Sequence, residues 1–149
     1  MFRMKSFALV VVLLISTCIL AQKSIQGTWK IIAIAGEGLY LDFKKDSIAY
    51  SNPSDSTTLK QIVPLLSAHF GNHELIFGDK GFFEARDNNK VEETGNFSVD
   101  QKNKIITNVV IRNGMTVKEK MRFEFIGPAL QLTYLEDERE LVVVLERVK

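Results

Sequence analysis

His69 and His73 are the only imidazoles in the 149 residues, and Glu74 follows the second directly. Four positions apart, the two rings would share one face of a helix that ran through them. Gly71-Asn72 lies between them and argues that a helix ends there. Two histidines without a further convergent ligand leave a zinc shell unfilled, so the end of a loop or lid is expected here and no metal is called for. Glu92-Glu93 is a sequential carboxylate pair. On a strand such neighbours point to opposite faces, so they are not expected to act together as acid and base, and a solvated face is expected for at least one. The sequence holds no Gly-x-Ser-x-Gly elbow, phosphate-binding loop, dinucleotide glycine motif or His-Glu-x-x-His. Catalysis and a cofactor are therefore not expected.

A third polar feature depends on pairing. Arg112-Asn113-Gly114-Met115 reads as a hairpin, because Asn-Gly supplies the positive φ angles of a two-residue type I′ turn. If Arg112 faces Met115, Val110 faces Val117, Asn108 faces Glu119 and Ile106 faces Met121. Met115, Val117, Met121, Phe123 and Phe125 alternate with Thr116, Lys118, Lys120, Arg122 and Glu124, so the odd face is the buried one. Glu119 breaks that face, opposite Asn108. A buried carboxylate without partners costs several kcal/mol, so it must be paired, wet or functional. Either it is a polar contact in the wall of a cavity, or it sits at a rim, turns outward at a bulge, or belongs to an internal network.

The elements that would position these groups are mostly strands. Apolar runs separated by turn signals cover 27–35, 39–43, 47–50, 74–77, 81–85, 91–99, 104–112, 115–126, 129–134 and 140–148. Most connections are of hairpin length, which favours antiparallel neighbours in a meander. One segment departs: Leu59, Ile62, Val63, Leu66 and Phe70 follow helical spacing, with Thr57 or Thr58 placed to cap it and Pro64 placed to kink it. A short amphipathic lid and an irregular strand at a corner both fit.

The first 21 residues read as an address. Arg3 and Lys5 precede the apolar run from Phe7 to Ala21, and polar Gln22 follows. That is the pattern of a signal peptide, too short for the roughly 20 residues of a spanning helix. Cleavage after Ala21 leaves one domain over 22–149, periplasmic or extracellular, without a transmembrane span. It would also remove Cys18, the only thiol, and with it any disulfide. Ile15-Ser16-Thr17-Cys18 resembles a bacterial lipoprotein signal, which would instead put a lipid anchor on Cys18 of an outer-membrane lipoprotein. The remaining 17 basic and 18 acidic residues give no field that would draw nucleic acid.

Gly27-Thr28-Trp29-Lys30 opens the first strand and Leu145-Glu146-Arg147-Val148 closes the last. Together with Gly95-Asn96-Phe97-Ser98-Val99-Asp100 and Leu130-Gln131-Leu132-Thr133-Tyr134, they make the chain similar to secreted bacterial lipocalin-like domains of the lipocalin and fatty-acid-binding-protein superfamily. The resemblance implies an all-β, antiparallel up-and-down barrel of about 8–10 strands with one short helix or lid segment. It also implies that Gly27, Trp29 and Arg147 close the barrel, the guanidinium over the indole. Only Gly36-Glu37-Gly38 follows the first strand, so the two helices of a fatty-acid-binding protein are missing.

The function expected on these grounds is the binding of a small, largely apolar molecule inside the barrel. Asn108, Val110, Val117, Glu119, Met121 and Phe123, with Tyr134, are the candidate contacts. The alternative is a structural or protein-interaction module whose interior its own side chains fill.

Overall fold

The computed structural model describes residues 24–52, 54, 56–135 and 140–149. The leader with Cys18, and the acidic turn at 136–138, lie outside the described residues. Among the described residues ten strands and one α-helix succeed each other: β1 (Gly27–Gly36), β2 (Leu39–Asp42), β3 (Ser47–Tyr50), α1 (Ser56–Phe70), β4 (His73–Phe77), β5 (Phe82–Asp87), β6 (Lys90–Asp100), β7 (Ile105–Arg112), β8 (Met115–Ile126), β9 (Ala129–Tyr134) and β10 (Leu141–Arg147). All ten runs of the sequence pattern appear, with no end moved by more than two residues.

The sheet closes. From β4 to β10 each strand pairs antiparallel with the next. β1 then joins the two ends, pairing with β10 from Trp29↔Arg147 to Ala35↔Val142 and with β4 over Gly27–Lys30. This is an eight-stranded up-and-down barrel. The β2–β3 hairpin lies outside the ring, because Ala33–Gly36 continue the same edge of β1 and pair with β2 instead.

The Asn-Gly turn forms as its chemistry requires. Asn113 has φ 52° and Gly114 φ 76°, and the register runs from Arg112↔Met115 through Asn108↔Glu119 to Ile105↔Arg122. The inner face of β8 carries Glu119, Met121 and Phe123, all buried, while Lys118, Lys120, Arg122 and Glu124 are exposed.

Between 56 and 70 the chain is a helix, not a corner strand, and it runs on through the exposed Pro64. It starts at Ser56, so Thr57 lies inside it and not at a cap. Leu59, Val63, Leu66 and Phe70 pack against the core. Its last turn is closed by the Gly71 amide, which donates to the Ser67 carbonyl over 2.9 Å.

One end of the barrel is solid. Phe77 lies 5.4 Å from Phe83 and 5.1 Å from Phe97 between ring centroids, and Phe125 is 6.3 Å from both Trp29 and Phe123. These tilted and edge-on separations are the favourable ones for aromatic pairs. Trp29 is 1% exposed, and its indole N–H donates to the Ile25 carbonyl over 2.7 Å. Arg147, the register partner of Trp29, holds its guanidinium carbon 4.5 Å from the indole centroid and donates to the Ser24 carbonyl over 2.6 Å. Gly27 fits beneath. Its φ is +138°, and a Cβ there would meet Arg147 Nη1 at 2.7 Å. The three residues singled out for closure are thus one contact.

Candidate functional site

The other end of the barrel is hollow. A cavity of about 410 Å³ lies inside the ring, with Ile31, Leu75, Phe83, Ala85, Leu141 and Val143 as its apolar wall. The same lining carries His69, His73, Glu92, Glu93, Arg112, Glu119 and Tyr134.

Arg112 organises one side. It is the next inward position on β7 after Ile106, Asn108 and Val110, so its guanidinium turns into the mouth. Its Nε donates to Glu93 Oε1 over 2.5 Å, and its Nη2 donates to Glu119 Oε1 over 2.8 Å and to Glu93 Oε2 over 3.1 Å. The hydrogen bonds to Glu93 and then Glu119 raise the guanidinium pKa above its ordinary range, against the opposing effect of burial. Glu119 is therefore paired inside the barrel, next to the buried Asn108, whose Oδ1 has no hydrogen-bond partner.

His73 organises the opposite side. It begins β4, buried, with Nε2 3.1 Å from Glu92 Oε2 and Nδ1 against the His69 carbonyl. Asp87 stands farther off, 3.9 Å from Nδ1. Both ring nitrogens face acceptors. His69, in the last turn of α1, lies 4.8 Å from the His73 ring. No group of three or more potential metal ligands converges among the described residues.

The expectation that Glu92 and Glu93 point to opposite faces is overturned, while Glu92 is exposed, as expected for at least one of the two. Both carboxylates line the cavity. Ala85 pairs with Glu93 but Arg86 pairs with Val91, so Glu92 is an extra residue in β6. A β-bulge breaks strict alternation, and two successive side chains reach the same space.

Of the candidate ligand contacts, Glu119 and Tyr134 line the cavity. Asn108, Val110, Val117, Met121 and Phe123 are not in its lining. Val110 and Met121 are fully buried, Phe123 belongs to the aromatic end, and Val117 packs partly buried against the core. Arg112, Glu93 and His73 line the cavity and were not among the candidates. For Arg112 and His73 the signal was present, since they lie one strand period from the core residues Val110 and Leu75.

No protein-family model matches the chain, and no curated protein matches it. Among solved structures, the crystal structure of a DUF4847 family protein from Bacteroides vulgatus superposes with a TM-score of 0.52 at 14% identity. The match covers 83% of this chain and 94% of that one. The two chains share a fold.

Proposed function

We propose that the chain is an exported, lipocalin-like, non-catalytic binding protein that holds one small molecule in its barrel. The observation that carries this is the interior cavity of about 410 Å³, in which an apolar wall faces a cluster of convergent charged and polar side chains. Its volume lies within the roughly 300–1,000 Å³ of ligand pockets. The lipocalin assignment is supported by Gly27-x-Trp29 under the Arg147 guanidinium at the closed end. Export is supported by Arg3, Lys5 and the apolar run to Ala21.

Native mass spectrometry of protein purified from its own host tests the binding. The expected result is one bound small molecule that is lost on denaturation. Ligand-free protein whose melting is unmoved by apolar and amphipathic compounds would overturn the reading. The intact mass should begin at Gln22, whereas a diacylglyceryl adduct on Cys18 would place the protein on a membrane surface.

A further inference from the structure

The interior cavity does not stand alone. A second chamber of about 360 Å³ lies between α1 and strands β1, β2 and β10, walled by Ile34, Leu39, Leu59, Ile62 and Leu66. Phe70, the last residue of α1, and Leu141, the first of β10, line both chambers. They form the partition between a mostly apolar space and a charged one. A molecule extending past them would have an apolar body and a polar head.

The charges select the head. Glu92, Glu93 and Glu119 line the inner chamber, where Arg112 is the one permanent cation in the described lining. Counting His73 as a second cation would still leave these carboxylates in excess. Arg112 is already bridged to two of them, so an anionic head would have to break those bridges and then sit among like charges.

We propose that the ligand is an amphipathic cation, a protonated amine bearing an alkyl or ring body. Its head lies among Glu92, Glu93 and Glu119 and its body extends past Phe70 and Leu141 beneath α1. This rests on the binding function proposed above and names the class of molecule bound.

Isothermal titration of the purified protein with dodecylammonium, dodecanol and dodecanoate, each below its aggregation concentration, tests it. Dodecylammonium should bind one to one, about ten- to a hundredfold tighter than dodecanol, the range of a hydrogen bond to a charged partner. Dodecanoate should bind weakest. Glu119→Gln should weaken dodecylammonium about tenfold and leave dodecanol within about twofold. If that variant does not fold, Glu92→Gln at the more exposed rim should show the same selective loss. Leu59→Trp, which fills the outer chamber, should weaken both ligands. Dodecanol or dodecanoate binding as tightly as the amine would overturn the cation while leaving a binding protein. Binding of none of the three would overturn both. Leu59→Trp without effect would overturn the placement of the body.

Discussion

The two ends of this barrel are built from the same strands and solve opposite problems. β4 runs from His73 at the hollow end to Phe77 at the solid one, β6 from Glu92 and Glu93 to Phe97, and β8 from Glu119 to Phe123 and Phe125. Inward positions therefore change from charged to aromatic along each strand. At the solid end Trp29, Arg147 and the phenylalanines fill the ring, so the closed sheet does not depend on what the hollow end contains. At the hollow end the side chains hold each other through ion pairs and leave space. On the proposed function, stability and binding are separable in this fold, and substitutions at the two ends should show it.

The largest effect is expected from Trp29→Ala. It removes a fully buried ring with its cation and its hydrogen bond, and should cost about 3–5 kcal/mol in denaturant unfolding. Gly27→Ala attacks the same contact through the backbone. At φ +138°, with Arg147 Nη1 2.7 Å from the new Cβ, about 1–3 kcal/mol should be lost, and ligand titrations on the folded fraction should be unchanged. Glu119→Gln tests the other end. The amide keeps the volume and an acceptor, and Arg112 retains Glu93, so a chemical melt should register only about 1 kcal/mol while ligand affinity moves more.

The smallest effect lies outside both ends. In the β6–β7 turn the Asn103 side chain, and then its backbone amide, donate to Asp100 and hold its carboxyl below the ordinary 3.8. A carboxyl depressed in the folded state contributes stability above its unfolded pKa and loses it as pH falls through the folded value. Asp100→Asn should therefore reduce the fall in melting temperature between about pH 5 and pH 3 relative to the parent. An unchanged difference would mean that the turn carries no part of the acid response.

The strands were legible because alternation and turn chemistry act locally. Asn113-Gly114 alone set the pairing of Asn108 with Glu119. Closure was legible from Gly27, Trp29 and Arg147, since a barrel must bring its first and last strands together. The polar lining was read less well, for two physical reasons. Arg112 looks like a hairpin-tip residue in water until the inward series 106, 108, 110 is continued by one more step. Glu92 reaches the cavity through a bulge set by how β5 meets β6, a tertiary event that no pattern within β6 announces. Helical spacing in α1 was visible, but its continuity through Pro64 depends on packing against the barrel mouth.

The division of the barrel is tested most directly by amide and indole NMR shifts during titration with dodecylammonium. The account predicts that signals of His73, Glu93, Arg112, Tyr134 and the last turn of α1 move together to saturation, while the Trp29 indole N–H, bonded to Ile25, stays fixed. Saturating shifts centred on Trp29, with those of the charged end unmoved, would contradict it.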